Sequence, residues 1–89
     1  MIRKRVIARG RVQGVFFRDS VRRRAQAAGV AGWATNRDDG AVETVLEGEA
    51  DAVESLVRFI REGPGEATVE SVEVSEGEQP EGLAGFEIR

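Results

Sequence analysis

Hydrophobic and polar side chains alternate from the second residue of the chain to the twelfth. The apolar set is Ile2, Val6, Ala8 and Val12, and the basic set at intervening positions is Arg3, Arg5, Arg9 and Arg11. A repeat of two residues places successive side chains on opposite faces of a strand. The pattern therefore predicts a half-buried β-strand over residues 2–12.

Two later stretches repeat their apolar residues every three or four positions, which is typical of helices that bury one face. The first stripe is formed by Phe17, Val21, Ala25 and Ala28, and the second by Val53, Leu56, Val57 and Ile60. Gly29 and Gly63 follow the two stripes, and glycine often ends a helix because it adopts the left-handed conformation without strain. The sequence therefore predicts helices over residues 17–28 and 49–62.

Asp19 and Ser20 fall in the first turn of the first predicted helix. Carboxylate and hydroxyl oxygens at such positions can accept hydrogen bonds from the free amides of the turn. We therefore predict that Asp19 caps the helix, although its neighbour Arg18 would also allow a general-base role.

The remaining apolar runs are short, and turn residues separate them. They predict strands over residues 30–36, 41–47 and 68–75, and a short closing strand over residues 86–89. An Asp-Gly pair at residues 39–40 is a strong hairpin signal, so the second and third strands should be adjacent. The order βαββαβ, with a short extra C-terminal strand, predicts a ferredoxin-like α/β sandwich: an antiparallel sheet with two helices on one face.

This topology brings two distant parts of the chain to one edge of the sheet. The first and second strands run in the same direction with the third strand between them, so their ends emerge together, roughly 10 Å apart. The loop of residues 13–18 follows the first strand, and Asn36 ends the second. We expect arginine and asparagine side chains to bridge this gap around a small ligand.

The loop of residues 13–18 has the composition of a cradle for an oxyanion. Consecutive backbone amides, a helix N-terminus and a guanidinium group can together hold a small anion. Gly14 would let the anion approach the main chain, because a Cβ atom would obstruct it. On this chemistry alone, an ordinary strand–turn–helix junction that carries Arg18 on its surface fits the sequence equally well.

Two segments resemble the sequence motifs of the acylphosphatases. Residues 10–18 read Gly-Arg-Val-Gln-Gly-Val-Phe-Phe-Arg and closely resemble the first motif of that family. Residues 32–48 read Gly-Trp-Ala-Thr-Asn-Arg-Asp-Asp-Gly-Ala-Val-Glu-Thr-Val-Leu-Glu-Gly and resemble the second. The motifs occur in the family's order, in a chain of about the family's length. The resemblance spans the chain, and its last third is the least specific part.

The resemblance implies the same fold and an enzyme that hydrolyses the carboxyl–phosphate bond of small acyl phosphates. It implies that Arg18 and Asn36 are catalytic, with the arginine on the phosphate and the asparagine on the attacking water. We expect the substrate-binding groups to lie in the loop, at Gln13, Gly14, Val15, Phe16, Phe17 and Arg18. We expect no metal and no cofactor.

Several of these residues also have ordinary structural explanations. Asn36 could merely begin a turn, Arg18 could be a surface charge, and Gln13 could be loop polarity. We interpret three aromatic side chains as packing residues: Phe16, Phe17 and Trp33. The residue before the asparagine is often basic in the family and is Thr35 here. Because successive strand residues point to opposite faces, we expect Thr35 to alter affinity or surface charge and to leave the chemistry intact.

Composition limits the possible functions further. The 89 residues are 40% hydrophobic and 33% charged, so we expect one folded domain over residues 1–89. Cysteine and histidine are both absent, which excludes thiolate nucleophiles, imidazole bases and the usual zinc ligands. No apolar run could span a bilayer, and no apolar segment follows the basic N-terminus. We therefore expect a cytoplasmic protein with no membrane partner. We also expect a monomer, although the sequence itself leaves the oligomeric state open.

The net charge of −3 is unevenly distributed. Residues 1–30 carry a charge of +8 and residues 31–89 a charge of −11. Such a split is compatible with a nucleic-acid-binding patch. We favour opposite-sign pairing within one fold and expect no nucleic-acid partner, because strands from the two parts should interleave.

Two alternatives to a metal-independent acylphosphatase stay open. A non-catalytic anion- or RNA-binding module on the same fold would need aromatic residues on the open sheet face for base stacking. The chain has no tyrosine, one tryptophan and four phenylalanines, two of which lie in the loop motif. The other alternative is an interaction domain of the kind embedded in larger maturation factors. The predicted closing strand favours a stand-alone enzyme.

Overall fold

The elements occur in the predicted order in the computed structural model, which describes residues 1–89. They are β1 (Ile2–Arg11), α1 (Phe17–Ala28), β2 (Ala31–Asn36), β3 (Val42–Gly48), α2 (Ala50–Glu62), β4 (Thr68–Ser75) and β5 (Phe86–Ile88). Every boundary lies within one residue of its prediction. Neither helix is long and apolar enough to cross a membrane.

The five strands form one sheet in the order β4-β1-β3-β2-β5. β3 pairs antiparallel with both β1 and β2, so β1 and β2 run in the same direction on either side of it. This confirms the ferredoxin-like sandwich. The prediction of a wholly antiparallel sheet is wrong at β5, which pairs with β2 in parallel. The long β4–β5 connection (residues 76–85) carries the chain from the β4 edge of the sheet to the opposite edge, where β5 lies beside β2.

Both helices pack on one face of the sheet and enclose the core, as predicted. α1 buries Phe17, Val21 and Ala25, and α2 buries Val53, Leu56, Val57 and Ile60. These side chains belong to a cluster of 16 buried residues that also draws on β1, β2, β3 and β5. Full burial of a large aliphatic or aromatic side chain contributes about 1.5–3 kcal/mol. The helical stripes therefore fix how α1 and the loop before it sit on the sheet.

Four basic side chains of β1 meet acidic side chains from later in the chain. The pairs are Arg3 with Glu47, Glu78 and Glu81; Lys4 with Glu54 and Glu76; Arg5 with Glu43 and Glu78; and Arg9 with Asp39 and Glu73. The prediction that the two oppositely charged parts pair within one fold is therefore confirmed.

One of these ion pairs is buried and anchors the β4–β5 connection. The Glu47 carboxylate is 1% exposed and accepts hydrogen bonds from Arg3 Nη1 at 2.6 Å and from the amides of Glu81, Gly82 and Leu83 at 2.7, 3.1 and 3.0 Å. Burial by itself would raise the pKa of Glu47, but these hydrogen bonds outweigh burial and hold the pKa below its ordinary value of 4.5. The connection is thereby fastened to the end of β3.

Candidate active site

The β1–α1 loop (residues 12–16) and the helix turn after it leave a run of backbone amides free. No N–H group of residues 14–19 donates to a protein acceptor. The first amide after them to do so is that of Ser20, which bonds to the Phe16 carbonyl oxygen at 3.0 Å. The opening amides of a helix have no acceptor one turn earlier, and the helix dipole adds partial positive charge there. The donors predicted for an anion are therefore available.

Two residues in left-handed conformations shape this loop. Gly14 has a φ of 75°, and Phe16 has a φ of 58° and a ψ of 25°. A Cβ built on Gly14 would have no non-neighbouring protein atom within 4 Å. The fold therefore needs glycine here for its conformation and not for lack of space. That a Cβ would obstruct an approaching anion stays a prediction.

Arg18 projects into a cleft of about 240 Å³ beside the loop. Its guanidinium forms no ion pair with an aspartate or glutamate side chain, and Nη1 donates to the main-chain oxygen of Arg89 at 3.1 Å. The cleft wall also includes Gly14, Phe16 and Ile88. An arginine with one main-chain acceptor and no acidic side-chain partner keeps most of its N–H donors for a ligand.

Asp19 does not cap α1, contrary to the prediction. The cap position is occupied by Phe16, and no side chain makes a cap hydrogen bond. The Asp19 carboxylate instead binds Arg22 at 2.5 Å and Arg23 at 3.0 Å, one turn further along the helix. Because no side chain caps the helix, its first amides stay available to a ligand.

Asn36 lies at the end of β2, where its backbone is paired with Val42 of β3. Its side chain is exposed, and its carboxamide forms no hydrogen bond with the protein. Asn36 does not line the cleft that contains Arg18. It lies at the sheet end from which the β1–α1 loop also emerges, since β1 and β2 run in the same direction. Its action on water stays a prediction.

Hydrogen bonds connect the first motif (residues 10–18) with the second (residues 32–48) on two sides of the site. Gln13 Nε2 donates to the backbone carbonyl oxygens of Arg37 and Ala41, at 2.8 and 2.9 Å, in the turn that follows Asn36. On the other side, the Arg89 amide donates to Ala34 of β2 at 2.8 Å, while the Arg89 carbonyl accepts from Arg18. The donor group of Gln13 therefore braces the β2–β3 turn, a role that the sequence analysis did not predict. Its contact with substrate stays a prediction.

The aromatic side chains divide between core and surface. Phe17 is buried as predicted, whereas Phe16 is 83% exposed, so its prediction as a core anchor is wrong. The helical stripe begins at Phe17, and the turn at Phe16 lies before it. Trp33 is half-buried on the open face of the sheet, where the guanidinium groups of Arg5 and Arg89 lie 5.8 and 4.8 Å from its ring centroid.

These features define a class of protein. It is a small ferredoxin-like sandwich that offers a phosphate-sized anion the free amides of residues 14–19 and the Arg18 guanidinium, with a free carboxamide at a neighbouring strand end. No group of three or more acidic side chains is placed to hold a metal ion.

The chain belongs to the acylphosphatase family, since the family model described as Acylphosphatase matches residues 4–88. The acylphosphatase of Rubrobacter xylanophilus is 59% identical over 87 residues, which cover 98% of this chain and 79% of that protein. That of Haloarcula marismortui is 53% identical over 87 residues, which cover 98% and 94%. The crystal structure of acylphosphatase from Bacillus subtilis matches with a TM-score of 0.95 at 40% identity, covering 100% of this chain and 99% of that one.

These comparisons confirm the resemblance seen in the two motifs, and with it the predicted fold. They also confirm the predicted activity, the hydrolysis of small acyl phosphates, and place the chain among the hydrolases. A non-catalytic RNA-binding module is not favoured.

Proposed function

We propose that this enzyme holds the phosphoryl group of its substrate in the β1–α1 loop and the attacking water on Asn36. The observation that carries the proposal is the run of unpaired amides at residues 14–19 beside an arginine without an acidic side-chain partner. A dianionic phosphate presents three oxygens, and this loop offers enough donors to bind each of them. Hydrogen bonds to charged groups contribute about 1.5–3 kcal/mol each, so a few of them suffice to orient the substrate.

In the proposed reaction the water oxygen forms a bond to phosphorus while the bond from phosphorus to the carboxyl oxygen breaks. The carboxylate leaves with the bonding electrons, and a water proton passes to a phosphate oxygen. Negative charge on the phosphoryl oxygens is stabilised by donors that are already in place, so little reorganisation is needed. An acyl phosphate is an activated anhydride, and positioning with charge stabilisation is sufficient.

The role of Asn36 follows from the chemistry of a carboxamide. An amide is too weak a base to take a proton near neutral pH, but it can both donate and accept hydrogen bonds. The Asn36 carboxamide has no partner within the protein, so both of its polar groups are available to orient a water molecule. The substrate itself then receives the proton.

Phosphate release from benzoyl phosphate, measured with and without EDTA, tests the reaction and its independence of metal. We expect turnover well above spontaneous hydrolysis and the same rate in both conditions. The Arg18→Ala/Asn36→Ala double variant, purified in parallel, controls for contaminating phosphatases. Turnover no higher than that of the double variant would overturn the proposal, and loss of turnover in EDTA would overturn metal independence.

We further propose that the enzyme acts as a cytoplasmic monomer without a nucleic-acid partner. A small domain without cysteine suits a reducing compartment, because small secreted domains commonly depend on disulfides. On the open sheet face, the guanidinium groups of Arg5 and Arg89 lie over the ring of Trp33. A ring covered in this way is unsuited to stacking on a base. Light scattering coupled to size-exclusion chromatography should give the mass of one chain, and twice that mass would contradict the monomer.

A further inference from the structure

Two of the three exposed large hydrophobic side chains lie at the same cleft. Phe16 is 83% exposed and Ile88 is 36% exposed, and both line the cleft that contains Arg18. The third, Met1, lies where β1 begins, at the other end of the sheet. Single exposed apolar side chains need no explanation, but two that meet at a concave site suggest a binding surface.

The backbone at Phe16 strengthens this suggestion. Phe16 is the only non-glycine residue with a positive φ, and ten glycines supply all the others. The left-handed conformation disfavours a side chain with a Cβ, and a large aromatic ring that packs in no core does not compensate within the fold. Strain of this kind commonly occurs at binding sites.

The apolar pair is also joined directly to the phosphate-binding groups. The Phe16 amide is one of the free amides, and Arg18 follows two residues later. Ile88 precedes Arg89, whose carbonyl oxygen holds the Arg18 guanidinium. In an acyl phosphate only one bridging oxygen separates phosphorus from the carbonyl carbon. A substrate with its phosphoryl group in the loop must therefore keep its acyl group within a few bond lengths of these groups.

We propose that Phe16 and Ile88 form an acyl platform, a surface that receives an aromatic or extended apolar acyl group. The platform makes the enzyme select such acyl phosphates over acetyl and carbamoyl phosphate. This inference rests on the proposed function, because it takes the phosphoryl group to be in the β1–α1 loop. Acetyl and carbamoyl groups are too short to cover the Phe16 ring, whereas a benzoyl ring can lie against it.

The size of the effect follows from aromatic contact. Offset or edge-to-face contact between two rings, with the apolar area that they cover, typically changes binding by roughly tenfold. We therefore expect a KM for benzoyl phosphate about ten times lower than that for acetyl phosphate.

Steady-state kinetics on both substrates test the platform. Phe16→Ala should raise the KM for benzoyl phosphate more than that for acetyl phosphate and so reduce the tenfold KM ratio to about two. Ile88→Ala should change the ratio in the same direction by a smaller factor. Leu83→Ala removes a half-buried aliphatic side chain from the β4–β5 connection, at the other sheet end, and should keep the parent ratio. A Phe16→Ala enzyme with the parent ratio would overturn the platform.

Calorimetry with non-hydrolysable probes separates the platform from the reaction. The parent should bind phenylphosphonate about tenfold more tightly than methylphosphonate, and Phe16→Ala should remove most of that difference. If neither acyl phosphate is hydrolysed, the proposed function is wrong. The affinities for the two phosphonates then decide by themselves whether the platform exists. Equal affinities in the parent would reject the platform even if hydrolysis is observed. Should Phe16→Ala fold poorly, Phe16→Gly removes the ring and relieves the backbone, with the same expected loss.

Discussion

At the scale of single residues, Arg18 differs from Arg3 and Arg5 of β1 in its partners. Arg3 and Arg5 are bound to glutamates, so their charges are used within the fold. Arg18 meets no acidic side chain and donates one hydrogen bond to the main-chain oxygen of Arg89, so most of its donors stay free. Asn36 likewise keeps a carboxamide without a protein partner. We expect these two side chains to affect different steps of the reaction.

Arg18→Lys and Asn36→Ala form a contrasting pair. Lysine keeps the positive charge but lacks the planar fork that matches two phosphate oxygens. We expect it to weaken competitive inhibition by inorganic phosphate about tenfold or more and to lose most activity. Asn36→Ala should lower kcat by about a hundredfold, since it removes the group that positions water. It should leave the inhibition constant of phosphate within about twofold.

The inhibition constant of phosphate separates the two roles. If Arg18→Lys matches the parent enzyme in both activity and phosphate inhibition, Arg18 does not clamp the phosphoryl group. An Asn36→Ala enzyme with the parent kcat would remove Asn36 from the mechanism. Circular dichroism of both variants controls for folding.

Arg18 and Asn36 could be predicted from the sequence because they lie in the two family motifs and because the strand order places them at one edge of the sheet. The sequence did not predict the exposure of Phe16 or the brace formed by Gln13. Both depend on the path of the β1–α1 loop, which periodicity does not describe. The capping role of Asp19 was predicted wrongly, because Arg22 and Arg23 compete for its carboxylate.

At the scale of elements, the site depends on how the β1–α1 loop is held against the β2–β3 turn. Gln13 provides this link through its two hydrogen bonds to the turn carbonyls. The β2 strand that carries Asn36 leads directly into that turn. The brace therefore sets the position of the amides relative to the water-binding carboxamide.

Gln13→Ala tests the brace. Loss of the two hydrogen bonds should destabilise the fold by about 1–2 kcal/mol. It should also lower kcat by about tenfold, because small misplacements of catalytic groups are costly. Gln79→Ala, which removes an exposed glutamine from the β4–β5 connection, is the matched control and should change neither quantity. A Gln13→Ala enzyme with the parent kcat would show that the brace has no part in positioning.

Element boundaries were predictable because glycine or a turn pair marks most of them. The direction of β5 was not, since its three residues carry no signal that distinguishes the two sheet edges. The buried carboxylate of Glu47 fastens the connection that leads to β5. A glutamate in an alternating strand gives no sign of such a role.

At the scale of the whole molecule, charge pairing links stability to pH. Glu47 is buried between Arg3 and three amides that require its ionised form. Its pKa is lower in the folded state than its ordinary value of 4.5. A lowered pKa stabilises the fold above the unfolded-state pKa, and this contribution is lost as pH falls through the folded-state value. Asp39 and Glu78, whose pKa values are also lowered, act in the same direction.

Glu47→Gln isolates this contribution. The glutamine side chain would place its two N–H donors among the four donors that bind the Glu47 carboxylate. We therefore expect the variant to be about 3 kcal/mol less stable than the parent at pH 7. The difference should shrink as the pH falls below the ordinary glutamate pKa of 4.5, because the unfolded parent then binds a proton that the folded parent binds less readily. Urea unfolding at several pH values measures both effects, and Glu66→Gln, at an exposed position, is the control. Equal stabilities at pH 7, or a difference that persists in acid, would contradict this account.

The left-handed backbone at Phe16 has a consequence for how such an enzyme would evolve. Glycine at this position would relieve as much as about 1 kcal/mol of strain, partly offset by its greater freedom in the unfolded chain. Laboratory selection for heat resistance alone should therefore drift toward Phe16→Gly, while selection for turnover on bulky anhydrides should retain the ring. The two kinds of selection favour different residues at position 16. The residue found there would therefore show which kind of selection a lineage has experienced.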